Sequence, residues 1–189
     1  MLHWQIKTAP AVEPITQTQA KVNLRVDCTD DDDLITALIV AARQWCEDYE
    51  GRAYITQTIT AKMDYLPDEI ILPQPKLQSI TSIKYYDTAG DEQTLADTLY
   101  DVDIFREPGR ITKTYNENYP ATRDIINGVS IEYKAGYGDA STDVPQRTIQ
   151  AIYLLVSHLY GNRIAVTDMK MSELPLGVKA LLNQRMKTV

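Results

Sequence analysis

The stretch Asp30-Asp31-Asp32-Asp33-Leu34-Ile35-Thr36-Ala37-Leu38-Ile39-Val40-Ala41-Ala42-Arg43-Gln44-Trp45-Cys46-Glu47-Asp48-Tyr49-Glu50-Gly51 decides how the rest of the chain is read. Leu34, Leu38, Ala41, Trp45 and Tyr49 form one apolar row at steps of three and four, and Ile35, Ile39, Ala42 and Cys46 form a second. Both rows fall on one broad side of an α-helix. The aspartates stand where a first turn leaves backbone N–H groups unpaired, so they cap the helix and suit its dipole. Gly51 supplies the left-handed residue that ends it. A face this wide cannot stay in water. Another part of the chain, or a neighbouring copy, must cover it.

Helical spacing returns after Val144. Pro145 suits a first turn, where its missing N–H costs nothing, and Thr142 or Asp143 can cap. Ile149, Ile152, Leu155, Val156, Leu159 and Tyr160 make a stripe as wide as the first, and Gly161 closes it. The predicted helical core joins Leu34, Leu38, Trp45 and Tyr49 to Ile152, Leu155 and Leu159. Burying each large side chain contributes about 1.5–3 kcal/mol, so the pair supplies much of the stability. Shorter helices are predicted from Thr16, where Thr16-x-x-Gln19 matches a capping box, and over Leu174–Leu182.

Between the two helices the pattern is that of strands. Ile55–Met63 alternates, Ile70-Ile71-Leu72 is short and fenced by prolines, and Ser79–Tyr86 leads into a turn at Asp87–Asp91. Further strands are predicted at Tyr100–Phe105, Arg110–Lys113 and Val129–Lys134, the last being the cleanest alternation. Residues 1–15 show no period and read as an extended arm. The prediction is therefore an α+β chain: a helical body of two long antiparallel helices with shorter terminal helices, carrying an inserted small antiparallel β-domain. Its parts are 1–51, 52–135 and 136–189, with a hinge at Gly136 and Gly138 where two glycines allow a sharp reversal.

Composition narrows the function. At 189 residues, 44% hydrophobic and 24% charged, the chain has room for a real core. No apolar run reaches membrane-span length, and the first residues lack a signal-peptide pattern, so the expectation is a protein made and used inside a cell or in a particle assembled there. A net charge of −7 argues against gripping nucleic acid, because phosphate binding needs clustered Lys and Arg. Two cysteines are too few for a disulfide scaffold and read as free thiols.

Catalytic motifs are missing from the sequence: no G-x-S-x-G, H-E-x-x-H, C-x-x-C or Walker loop. Two histidines cannot build a histidine metal site. Counted from Asp27, a calcium loop would need Gly and Glu where Asp32 and Leu38 stand, so the acid cluster reads as a helix cap. Gly136-Tyr137-Gly138 lacks the third glycine of a dinucleotide turn. Cys46 and His158 lie on the two long helices, but no third group orients them as a nucleophile and base. No catalytic residue, cofactor or metal is predicted. What remains is surface that wants partners: Leu174, Pro175, Leu176, Val178, Leu181 and Leu182 either fold back on the helices or dock in a groove of another protein. Trp4, Ile6 and Val12 of the arm raise the same question.

Several stretches taken in order resemble phage head–tail connector (adaptor or head-completion) proteins. They are Pro10–Thr16, Ala20-Lys21, Leu24–Asp27, Gly51–Thr58, Leu72-Pro73-Gln74-Pro75, Ala135-Gly136-Tyr137-Gly138, Asp143-Val144-Pro145, His158–Arg163 and Leu174–Val178. The resemblance implies a virion adaptor, assembled in the host cytoplasm, that forms a homo-oligomeric ring, dodecameric on the portal protein. It implies a DNA channel through which DNA passes without specific binding, a stopper or tail-completion protein as second partner, and portal docking by the segment after Leu174. Other readings are a different tail-completion or packaging-associated phage protein and, from another class, a small intracellular enzyme.

Overall fold

The computed structural model describes residues 2–162 and 176–183. The chain divides into two compact units, one of Met1–Ala11 with Gly51–Tyr137, the other of Val12–Glu50 with Gly138–Val189.

In the helical unit, α1 (Gln17–Leu24) opens on a capping box: the Thr16 hydroxyl accepts from the Gln19 N–H at 3.2 Å and Gln19 Oε1 accepts from the Thr16 N–H at 2.8 Å. Arg25 ends α1 in the left-handed region, with φ 56°. The decisive stretch forms α2 (Asp32–Glu50), with Asp32 and Asp33 in its first turn. Lys21 Nζ reaches Asp32 Oδ1 at 2.5 Å and ties α1 to it. The second long helix is α3 (Gln146–Gly161), and α4 (Leu176–Asn183) follows. Pro145 stands at the N-cap position of α3 and no side chain caps it; Asp143 Oδ2 accepts from the Ala140 N–H at 3.0 Å instead. The wide face of α2 is covered from within the unit, by α1, α3 and α4.

The β-unit holds two antiparallel sheets. Strands β1 (His3–Thr8), β2 (Gln57–Met63), β8 (Val129–Ala135), β4 (Leu77–Tyr86) and β5 (Glu92–Thr94) lie in that order in the larger sheet. The smaller runs β3 (Glu69–Ile71), β7 (Arg110–Lys113), β6 (Tyr100–Asp103). On β2 and β8 every second residue is buried, and the register sets Ile59 opposite Tyr133, Ala61 opposite Ile131 and Met63 opposite Val129. Leu72, Leu77, Ile83, Ile70 and Ile111 complete a core shared by both sheets. Tyr133 places its hydroxyl within this core, donates to the Pro73 carbonyl at 2.8 Å, and burial pushes its pKa up. The Asp87–Asp91 turn is as read, with Gly90 at φ 99°.

The fold expectation is corrected. The chain is not a body of two long helices with a small β-insert: among the described residues it has four helices and eight strands, the strands in two antiparallel sheets. The residues between α2 and α3 build a hydrophobic core of their own, so they do not hang on the helices as an appendage. The N-terminal arm is extended and pairs with β2. It supplies β1, an edge strand whose residues are all exposed, and an exposed edge strand leaves little hydrophobic period to read.

Glycine substitutions test how tightly the chain is constrained where it leaves the β-unit. Gly136 has φ +139°, and an added Cβ would lie 2.7 Å from the Ile55 carbonyl carbon and 2.8 Å from Thr56 N. Gly136→Ala is expected to lower unfolding free energy by about 2–3 kcal/mol. Gly51, at φ +63° with open space around it, should cost only about 1 kcal/mol as alanine. Urea denaturation of both variants checks the ranking.

Candidate interaction surfaces

The local environment of the one cysteine–histidine combination argues against nucleophilic chemistry. Cys46 is fully buried on α2, and burial together with the nearby Glu50 and Glu47 carboxylates pushes its thiol up to about 12. A nucleophile needs the thiolate, which this setting disfavours. His158 Nδ1 lies 3.3 Å from Asn162 Nδ2 on the last turn of α3. No cluster of three or more His, Cys, Asp or Glu among the described residues is placed to hold a metal ion, and no described helix is long and apolar enough to cross a membrane.

Each unit is instead stiffened by one buried guanidinium. Arg43 of α2, 3% exposed, donates from Nε to Glu13 Oε2 at 2.7 Å and from Nη1 to Glu47 Oε2 at 2.5 Å. This pins the segment before α1 to the middle of α2. In the β-unit, Arg52 Nη2 reaches Glu107 Oε2 at 2.5 Å, Nη1 donates to the Tyr137 hydroxyl, and Tyr54 stacks on Tyr137. The residues where the chain enters and leaves that unit are therefore joined to the β6–β7 loop. A buried pair contributes little net stability, but removing one partner strands a charge.

The predicted core residues are placed as follows. Ile152 and Leu155 are buried on α3. Leu34, Leu38, Trp45, Tyr49 and Leu159 are half-buried, and Trp45 stacks on Tyr49 with ring centroids 5.1 Å apart. The fully buried row of α2 is the second one, Ile35, Ile39, Ala42 and Cys46. Of the hinge residues, Gly136 lies against the Ile55 backbone, and a Cβ on Gly138 would stand 2.1 Å from Asp143 Oδ2.

Of the predicted docking segment, Leu174 and Pro175 lie outside the described residues, and Leu176 begins α4. Val178 (0% exposed) and Leu182 (1%) are buried, Leu181 is half-buried, and the Tyr49 hydroxyl donates to Asn183 Oδ1 at 3.0 Å. α4 therefore packs on its own unit, against α3 and α2.

Exposed apolar side chains gather on the β-unit. Trp4 and Ile6 of β1 are 40% and 47% exposed, and Phe105 is 98% exposed. Tyr65, Tyr115 and Ile126 also stand in solvent on loops. Sequence reading missed Phe105 by running a strand through it. The strand stops at Asp103, whose Oδ1 accepts from the N–H groups of Arg106 (3.2 Å) and Phe105 (3.1 Å); the Arg106 bond first, then the Arg110 guanidinium and the Phe105 bond, hold its pKa low. An Asp that turns the backbone two residues on was the available signal.

The family model described as head completion protein matches residues 13–172. No curated protein matches the chain. Among solved structures, a chain from the virion of a native gene transfer agent particle shares the fold with a TM-score of 0.77 at 22% identity, over 98% of this chain and 95% of that one. A chain from the neck of an empty particle of that kind, computed with C6 symmetry, gives 0.76 at 24% identity over 99% and 96%. One from a native neck computed with C12 symmetry gives 0.69 at 24% identity over 98% and 96%.

Two outcomes check these environments. In the native protein a thiol reagent at pH 8 should label exposed Cys28 quickly and Cys46 only after denaturant is added. Glu47→Ala should lower stability by about 3 kcal/mol, by leaving Arg43 short of a buried partner, as read by thermal and urea unfolding.

Proposed function

Because this chain belongs to the head completion protein family, we propose that it is the adaptor of a tailed-phage or phage-like virion. It forms a ring beneath the portal, extends the DNA channel and receives a stopper or tail-completion protein. It is a structural component and not an enzyme. The observation that carries the reading is the family match over residues 13–172. Likeness of the whole fold to chains from particle necks treated with C6 and C12 symmetry supports it and suggests a ring of twelve.

Ring closure needs a heterologous interface, in which one face of a subunit meets a different face of the next and the rotation closes. Weak lateral contacts suffice once the portal holds many copies close together, because binding then becomes effectively intramolecular. With a net charge of −7 the ring would not grip DNA, and an acidic lumen would let it slide. The portal contact is assigned to the C-terminal segment. Val178 and Leu182 anchor α4 to its unit. Contact then falls to Leu174, Pro175, Leu176, Leu181 and the residues beyond Asn183.

Purified protein added to portal-bearing heads should co-sediment with them and add a ring below the portal by electron microscopy. A truncation after Asn183 keeps the anchoring side chains, so it should fold with an unchanged melting temperature and lose at least tenfold in head binding. Full binding by that truncation would exclude the residues beyond Asn183 from the contact, and absence of any ring from the intact chain would overturn the adaptor reading.

A further inference from the structure

The larger sheet has five strands and the smaller three, so the smaller leaves part of the larger sheet's core face bare. Both of the larger sheet's edge strands, β1 and β5, are exposed, and β1 is the one with large apolar side chains. Trp4 and Ile6 pair directly with Ala61 and Ile59 of β2, which are fully buried. Directly opposed residues of an antiparallel pair share a face. Trp4 and Ile6 thus lie on the core face of the sandwich and are nonetheless 40% and 47% exposed. Near the start of β1 a pocket of about 180 Å³ opens between Leu2, Met63, Tyr65, Pro67 and Ile71, with Glu69 also in its wall.

β1 has an unpaired outer edge, with an irregularity in its pairing between Ile6 and Thr8. It contains no proline, and its one charged side chain, Lys7, is held to Glu132 at 2.6 Å on the opposite face of the sheet.

The same unit carries an apolar projection at a different edge. β6 is the far edge of the smaller sheet, separated from β3 by β7. The loop after it presents Ile104 and the chain's one phenylalanine, Phe105, 98% exposed on a turn fixed by Asp103. An apolar cavity of roughly 150 Å³ holds a benzene molecule, so the pocket beside β1 is of a size for one phenyl ring.

We infer that subunits join head to tail through the β-unit, with Ile104 and Phe105 of one copy seated on the uncovered Leu2–Trp4–Ile6 strip and its pocket in the next copy. The inference rests on the ring reading above and specifies its lateral contact. A heterologous ring needs two non-identical, complementary surfaces on every subunit. The open side at β1 and β3 and the projection beyond β6 are such a pair, and neither requires a partner other than a second copy. Seating the projection covers the strip, the pocket and the most exposed aromatic side chain together.

The test uses the full chain with Phe105→Asp and, separately, Ile71→Asp. Both sites are exposed, so both variants should melt with the intact chain. On portal-bearing heads each alone should show at least a tenfold loss of closed rings. Mixed together, the Ile71→Asp copies keep a good projection and the Phe105→Asp copies keep a good pocket. Chemical cross-linking of the mixture should therefore give pairs and no larger species, a pattern that a two-fold symmetric contact would not produce. Closed rings from either folded variant, or no pairs on mixing, overturn the inference while the ring reading stands. No ring from the unaltered chain overturns the ring reading and this inference with it.

Discussion

The ladder between β2 and β8 is the constraint on which the β-unit depends. β2 follows α2 and β8 precedes α3, so one pairing gathers two of the three crossings of the chain between units. Seven residue pairs run from Gln57 opposite Ala135 to Met63 opposite Val129 without a bulge. β1 is attached only through β2, and β4 through β8. Slipping this register by one residue would turn Ile59, Ala61, Ile131 and Tyr133 outward together. Gly136 prolongs the constraint: the strand leaves β8 against the Ile55 backbone, with the Tyr137 N–H donating to the Tyr54 carbonyl at 2.9 Å.

The two units answer the burial problem differently. The β-unit is held by alternation, a short-period device that leaves one face of the larger sheet polar. That face forms a concavity lined by Lys7, Lys62, Lys84, Glu92 and Glu132, with Lys7 and Lys84 paired to Glu132 and Glu92. The helical unit is held by broad apolar stripes and by α4, whose buried Val178 and Leu182 are an integral part of its packing.

Long, strongly periodic segments were legible in the sequence. The two long helices, the α1 capping box, β7 and β8 lie where their patterns put them, because burial of one face fixes both period and extent. The fold as a whole was misread, since helices that dominate a sequence pattern do not thereby dominate the structure. Ile70 and Leu95 contribute to a substantial core from segments too short to show a period. β1 was invisible because edge pairing is made by backbone groups, whose partners a sequence does not display. Among candidate contact residues, Trp4 and Ile6 stood out as apolar residues in an arm. Phe105 reads as part of a strand until Asp103 is recognised as the residue that turns the backbone.

Native-state hydrogen exchange followed by NMR tests the claim about β2 and β8 most directly. The account predicts that the amides of Ile59, Ala61, Ile131 and Tyr133 exchange last in the β-unit, at the rate of its global unfolding, while amides of β1 and the β6–β7 hairpin exchange sooner by local opening. Early exchange along β2 and β8 with lasting protection in β1 or β6 would show that the unit is organised around some other pairing.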